Sequence, residues 1–510
     1  MLSRSFMPPE DQRGLLAYSP MFHARLFADT PKYRETCFQP IKSTLPDPPA
    51  DVSNDPLEGY DAHLDGNPSV DRPLFVQFCA NDPEKLLASA KLVQPYCDAV
   101  DLNLGCPQGI AKKGHYGAFL QEDQDLIYRL INTLHKGLDI PVTAKFRILD
   151  TREKTLQYAR VLLSAGASII TVHGRQRHQK GHNTGLADWS MIKYLREQLP
   201  PETVMFANGN ILQYEDIAAC FEATSVDGVM SAEGNLHDPT IFGPPPAVGE
   251  EGREYWRGKD GKGGYRMDAV MRRYLEIIYI YVLKQPVPER KPLFIASDPI
   301  EGDEPNTAPP AAEQEEEGPP KKKRKKSEKK NQTSDPNLTA MQAHMFQMLR
   351  PLITKHTHIR DALARSRSGD MASFERVLAM VEQVTKEGMI EFEKSSGETN
   401  GDATANDFSL SLPKDDFRTS SKEAMERCRR PWWVCQAYIR PLPDEALAKG
   451  ALQVSKKDKK QQEGVEAEVK TQQAKEDAKE ETVTNGALKK VEDESSDVKV
   501  ELPKEGMVCG

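Results

Sequence analysis

Short apolar runs alternate with helical patterns throughout residues 14 to 240, and that alternation restricts the fold more than any other feature of the chain. The runs fall at 14–20 (GLLAYSP), 73–79 (PLFVQFC), 99–105 (AVDLNLG), 141–147 (PVTAKFR), 168–174 (SIITVHG), 203–209 (TVMFANG) and 228–233 (GVMSAE). One helix is expected to open at Asp82-Pro83-Glu84, where Pro83 suits the first helical position. Another opens at Asp150-Thr151-Arg152-Glu153, which has capping-box spacing, and stops before Gly166. Strands this apolar, separated by helices, predict a parallel α/β sheet buried on both faces. Seven strands are one short of an eight-stranded TIM-type (β/α) barrel. The expectation is therefore a TIM-type barrel lacking its first strand, with the missing strand placed before Met1.

Outside this block the composition changes. Only 38% of the 510 residues are hydrophobic and 28% are charged, too polar a mixture to pack along the whole length. Residues 1–245 are assigned to the barrel and 246–294 to a connection entering a small α-helical domain. Residues 295–337 run from PNTAPPAAEQEEEGPP into KKKRKKSEKK, an acidic and basic insert that can form no core. A helical pattern resumes over 338–394, and 395–510 is a charged, disordered tail with one aromatic island at Pro431-Trp432-Trp433-Val434-Cys435. No window carries the ~20 apolar residues of a membrane span, and MLSRSFMPPEDQRG has no apolar signal core. Eight cysteines lie scattered from Cys37 to Cys509 without a CxxC pair, which points to a reducing intracellular compartment and to no zinc site. The net charge of -9 does not exclude nucleic acid, because local charge decides that. KKKRKK at 321–326 (Lys321 to Lys326) reads as a nuclear-import patch or an RNA tether, against the plain alternative of a solvated charge run.

In a barrel of this kind chemistry sits at the C-terminal strand ends. Those ends carry a polar set: Gln77; Asn103 with Gly105-Cys106-Pro107; Lys145 and Arg147; His173, Gly174 and Arg175; Asn208, Gly209 and Asn210; Ala232 and Glu233. Gly209, Ser231 and Ala232 are small enough for backbone N–H groups to approach a phosphate at the usual phosphate loops of the barrel. A phosphorylated ligand is expected, with Lys145 and His173 above it. The basic loop from Arg175 through Arg177 to Lys180 is expected to lean over the same mouth. Each residue has a plainer reading: Cys106 as a small buried hydrophobe, His173 as a satisfied core histidine, Asn208 and Asn210 as turn formers. Lys145 within an apolar strand is the hardest to explain without a ligand.

The same residues carry a resemblance. DLNLGCPQGIAKKGHYGAFL, TAKFRI, TVHGR and ANGNI are similar to the tRNA-dihydrouridine synthases, and AYSPMFHARLF, VQFCANDPE and GLADW resemble the eukaryotic subgroup acting on positions 16 and 17 of the tRNA D-loop. The likeness spans roughly 14 to 240, and more weakly 338 to 390. It implies an FMN-dependent reductase of the uridine C5–C6 double bond, recharged by NADPH or NADH. By the same resemblance Cys106 gives a proton to C5; Gln77, Lys145 and His173 contact the flavin; Asn208, Gly209 and Asn210 with Ala232 and Glu233 hold the ribityl phosphate; and Asn103 orients the uracil. Arg147, Arg175, Arg177, Lys112 and Lys113 would face substrate RNA, joined by His356, His358, Arg360, Arg365 and Arg367 of the helical domain. The target uridine would have to leave its stack. The implied partner is tRNA, met by a monomer in cytoplasm or nucleus. The family's first strand, bearing an Ala-Pro-Met-type segment that packs on the flavin, and the helix after it have no counterpart here; MLSRSF resembles that helix's end. The runs at 14–20 and 228–233 are therefore expected to be unpaired edges, and the alternative function is a non-catalytic tRNA-binding protein derived from such an enzyme.

Overall fold

The structure, a computed structural model, describes residues 1–41, 63–299, 335–398 and 421–448. One parallel sheet holds β1 (Ala17–Tyr18), β2 (Phe22–His23), β3 (Leu74–Cys79), β4 (Ala99–Leu104), β5 (Val142–Arg147), β6 (Ile169–His173), β7 (Val204–Asn208) and β8 (Gly228–Met230). β1 and β2 both pair with β3, Ala17 beside Leu74 and Phe22 beside Phe78. They form one lane broken at Ser19-Pro20, where proline has no N–H for a ladder. The sheet thus has seven lanes, as the apolar runs require.

Helices connect the lanes. α1 (Ala24–Asp29) and α2 (Pro31–Cys37) follow β2, and α3 (Pro83–Val93) follows β3. Next come α4 (Gly109–Gly114), α5 (Gln124–Gly137), α6 (Arg152–Ser164), α7 (Trp189–Gln198), α8 (Glu215–Thr224) and α9 (Glu233–His237). Asp82 caps α3 by accepting from the backbone N–H groups of Glu84 and Lys85, with Pro83 at the first position as expected. α6 is capped by Thr151, whose hydroxyl accepts from Lys154 N at 3.2 Å. That is one residue later than the spacing suggests, and Asp150 instead pairs with the Lys154 side chain at 2.8 Å.

The sheet is buried on both faces, as expected, but the two faces differ in polarity. Val76, Phe78, Val100, Leu102, Ala144, Phe146, Ile170, Val172, Met205 and Ala207 point outward into one apolar core with the helices. Each large aliphatic side chain buried there contributes about 1.5–3 kcal/mol. Residues of the opposite parity, Gln77, Asp101, Asn103, Thr143, Lys145, Arg147, Thr171, His173 and Asn208, face inward. Registers align them across lanes: Asn103 beside Lys145 beside Thr171, and Arg147 beside His173 beside Asn208. The sheet curls strongly enough that Tyr18 of β1 reaches Thr171 of β6, hydroxyl to hydroxyl at 3.3 Å. Those strands are four lanes apart, about 19 Å in a flat sheet at ~4.8 Å per lane.

β1 and β8 end the sheet and do not pair with each other. β8 is half-exposed along its length, whereas β3 is buried throughout. The N-terminal turn bridges from one side to the other: Arg4 donates to the carbonyls of Leu15 and Pro73, and Ser3 donates to Asn235 at 3.0 Å.

Beyond the barrel lie an antiparallel hairpin, β9 (Tyr255–Arg257) and β10 (Gly263–Tyr265), and α10 (Met267–Ile277). A helical group follows: α11 (Pro336–Met348), α12 (Arg350–Lys355), α13 (Thr357–Arg365) and α14 (Met371–Glu398). Met341, Met345 and Met348 recur on one face of α11, and all three are buried in a second core with α10, α13 and α14. α11 also packs against α2 and α9. Residues 300–334, most of the expected insert, and 449–510 lie outside the described residues.

Residues 421–448 correct the boundary of the charged tail, because this stretch is packed. It holds α15 (Ser421–Cys428) and α16 (Pro443–Ala448). Trp433, Val434 and Cys435 between them are buried. The backbone pairs with the end of β10: Cys435 N donates to Tyr265 O at 2.9 Å, and Met267 N donates to Trp433 O at 2.8 Å. The aromatic island supplies apolar surface that a tail of Lys, Glu and Ser lacks.

Candidate active site

A chain of hydrogen bonds runs from the barrel interior to the cysteine loop. Asp101, fully buried on β4, accepts from Thr143 Oγ1 at 2.6 Å and from Gln77 Nε2 at 2.8 Å. Gln77 Oε1 accepts from Asn103 Nδ2 at 2.7 Å. Asn103 Oδ1 accepts from the backbone N–H groups of Gly105 and Cys106, at 3.0 and 2.9 Å. A carboxylate at one end and two N–H donors at the other allow neither amide to flip. The loop is clasped from outside as well, since Ala118 N donates to Cys106 O at 3.1 Å. Gly117 has φ +65°, and a Cβ there would lie 2.9 Å from Cys106 O. Cys106 itself is partly open to solvent. Burial raises the Asp101 carboxyl to about 6, against the hydrogen bonds of Thr143 and Gln77 and the charge of Lys145.

Lys145 stands in the middle of the inner face. Its ammonium makes no hydrogen bond or ion pair among the described residues. Burial, with Arg147 alongside, pulls it down to about 8, while Asp101 pulls the other way. His173 is held well below its usual value by burial, then by Lys145, Arg147 and Arg175, so its ring is neutral near pH 7. An unpaired cation beside a neutral imidazole can receive an anionic or electron-rich ring.

The loops after β7 and β8 make the other side of the mouth. Gly209 has φ +114°, and a Cβ would meet Ala187 Cβ at 2.6 Å and His173 Cδ2 at 3.3 Å. Asn210, also at positive φ, is clamped: its Oδ1 accepts from Ala187 N and Arg175 Nη2, both at 2.9 Å, and its Nδ2 donates to Ala187 O at 3.0 Å. Asn208 Nδ2 donates to Met230 O at 2.9 Å. Ala232 precedes α9, and the Glu233 carboxylate pairs with Arg440.

The basic residues of this mouth are largely committed to the protein. Arg147 is 9% exposed and donates to the carbonyls of Gly105, Gln176 and Gln179, tying two loops together. Arg175 reaches His173 Nε2, Gly185 O and Asn210. Arg177 pairs with Glu122, and Lys180 donates to Pro107 O. The loop at 175–180 therefore braces the cysteine loop more than it presents free charge. Lys112 and Lys113 on α4 are exposed. Sequence reasoning missed Asp101, Thr143, Thr171 and Tyr18, which form the polar floor. The signal was present as period-two alternation in VDLN, VTAKFR and TVH. It also missed Arg440, for which no local signal exists.

Residues 10–258 match the dihydrouridine synthase family. A Saccharomyces cerevisiae protein named NAD(P)(+) tRNA-dihydrouridine(16/17) synthase is 42% identical over 433 residues, covering 84% of this chain and 78% of that one. The chain belongs to the dihydrouridine synthase family. The Schizosaccharomyces pombe protein of the same name is 40% identical over 428 residues, 84% of this chain and 82% of its own. A Mus musculus dihydrouridine(16/17) synthase-like protein reaches 47% identity over 241 residues, 47% of this chain and 45% of that protein. In this dihydrouridine synthase the likeness extends past the barrel, in keeping with one compact unit formed by the described residues between Met1 and Ala446. No described helix is long and apolar enough to cross a membrane.

Proposed function

We propose that this chain reduces the C5–C6 double bond of uridines at positions 16 and 17 of the tRNA D-loop, taking electrons from NADPH or NADH through bound FMN. The observation that carries the reading is Lys145, a cation set on the polar inner face of a barrel with no protein partner among the described residues, in register with Asn103 of the Cys106 loop. The residues fit a flavin, ring at Lys145 and His173 and phosphate at Gly209. Lys145 offers an unused charge, His173 adds no second one, and the backbone at Gly209 approaches where a Cβ would clash.

FMN, when bound, supplies the hydride that reaches C6 and is recharged by the nicotinamide. Cys106 delivers its thiol proton to C5, a general-acid step worth ~100-fold or more. Asn103 retains one Nδ2 hydrogen after its bond to Gln77, and gives it to a uracil carbonyl. Gln77 holds Asn103, and its remaining Nε2 hydrogen would be free to serve a flavin. Lys145 and His173 would hold the ring system, and Asn208, Gly209, Asn210, Ala232 and Glu233 would form the phosphate end. The flipped uridine enters past Cys106, with Lys112, Lys113 and Arg177 at the rim. The exposed His358, Arg360, Arg365 and Arg367 and the half-buried His356 line the helical domain; they grip the tRNA backbone. The chain acts as a monomer, and Lys321 to Lys326, outside the described residues, imports it to the nucleus or tethers RNA.

The test uses the full chain. Its visible absorbance reports bound flavin, and tRNA from a strain deleted for the gene is mapped for dihydrouridine after incubation with protein and NADPH. Colourless protein that binds tRNA but leaves both positions unreduced would replace the proposal with a non-catalytic tRNA-binding protein.

A further inference from the structure

Residues 421–442 cross the molecule from the helical group to the phosphate end of the barrel. Trp432 packs on His356, ring centroids 4.5 Å apart, and beneath Lys355. Arg427 pairs with Asp216 at the start of α8, at 2.7 Å. The Tyr438 ring lies under the Arg350 guanidinium at 3.7 Å and beside His237 of α9. Two residues on, Arg440 makes a forked contact with Glu233, Nη2 to Oε1 at 2.5 Å and Nε to Oε1 at 3.1 Å. A cleft of about 110 Å³ remains between this strap and the loops after β6, β7 and β8. Arg175, Asn210, Glu233, Arg427, Tyr438 and Arg440 are among the residues that line it.

The charges are the informative part. Glu233 stands where the loops of this fold receive a phosphate, and a carboxylate there repels a dianion. The barrel's Arg175 lies near enough to feel its charge, but its direct ion-pair partner is not in the barrel. It comes from a position 207 residues downstream. Arg440 is 43% exposed and Glu233 48%, so the pair is worth little as a structural bond. Its forked guanidinium is well suited to a phosphomonoester. We infer that Arg440, carried by the C-terminal strap, is the phosphate-discriminating residue of the cofactor site: it cancels Glu233 and offers a guanidinium edge to the flavin phosphate. This rests on the flavin reading above and adds to it a residue and a segment outside the barrel.

Flavin fluorescence quenching on titrating flavin-stripped full chain with FMN and, separately, with riboflavin tests both levels. Wild type is expected to prefer FMN. R440A should weaken FMN by about tenfold or more and leave riboflavin within about twofold; R440K should recover part of the loss. R440E should be worse than R440A, and E233Q in the R440A background should restore much of the FMN affinity, since the repelling carboxylate is gone. R440A that still prefers FMN as wild type does overturns the inference. So does R440A that loses both flavins equally, which would make the strap a structural brace. Wild type that binds FMN and riboflavin alike also overturns it, while leaving the flavin reading intact. Wild type that binds neither flavin overturns the flavin reading and the inference with it.

Discussion

The two sides of the barrel mouth are built differently. The cysteine side is wired from within: Asp101, Gln77, Asn103 and the Cys106 loop are linked by four hydrogen bonds among side chains and their own loop. The phosphate side is assembled from outside, with Asn210 clamped by Ala187 and Arg175, and Glu233 answered by Arg440. The difference teaches where each function is vulnerable. On the proposed reading, chemistry at Cys106 would depend on a relay that packing of the core protects. On the same reading, cofactor retention would depend on a half-exposed ion pair and on a segment that must first fold back across the molecule.

The largest effect should come from C106A. Dihydrouridine formation is expected to fall ~100-fold or more, while flavin content and NADPH oxidation stay at wild-type levels; mutant tRNA reduced at the normal rate would remove Cys106 from the chemistry. K145A strikes between the two sides. Loss of a charged partner should weaken FMN retention by about tenfold to a hundredfold. The pH dependence gives a sharper form. In the flavin-free protein Lys145 loses its proton as pH rises through about 8, so FMN affinity should be full below that pH and fall above it. K145R, which stays charged, should flatten the fall. An FMN dissociation constant independent of pH from 7 to 10 would make Lys145 structural.

D101N should cost less, about tenfold in the rate of tRNA reduction, because an amide still accepts from Gln77 but with a weaker bond. The Asp101 carboxyl is held up to about 6, so it is charged above that pH. The wild-type rate should fall as pH drops through about 6, and D101N should lack this limb with flavin content unchanged. Loss of flavin in D101N would mean that the two sides are not separable. The smallest effect on turnover is expected from deleting 300–334, whose composition can form no core. The rate constant should stay near wild type. The deletion should change either nuclear accumulation or the salt dependence of tRNA affinity; neither changing would make KKKRKK a solvated charge run.

Several features were legible from local pattern. The seven lanes follow from apolar runs, because strands buried in a sheet must be apolar at every second position at least. Asp82-Pro83 announces α3, because the cap needs an acceptor two and three residues before the N–H groups it serves. The inner polar floor was legible in principle but was read over, since VTAKFR and IITVH look continuous until their parity is separated. The Met face of α11 is likewise a period visible in the sequence.

What the sequence alone determined, then, is whatever depends on neighbours along the chain: strand and helix periods, caps, the glycine at 209, and the family motif around Cys106. Only the tertiary structure decided which charges remain available. Arg147, Arg175, Arg177 and Lys180 all read as free cations, and folding commits each to an oxygen of another loop. Among the described residues Lys145 is left unpaired beside them, and Arg440 is brought to Glu233 from a stretch that composition assigns to a tail. The physical reason is that a Coulomb or hydrogen-bond partner is fixed by distance in space, a few ångströms, and residues separated by 207 positions carry no mark of it until the chain has folded.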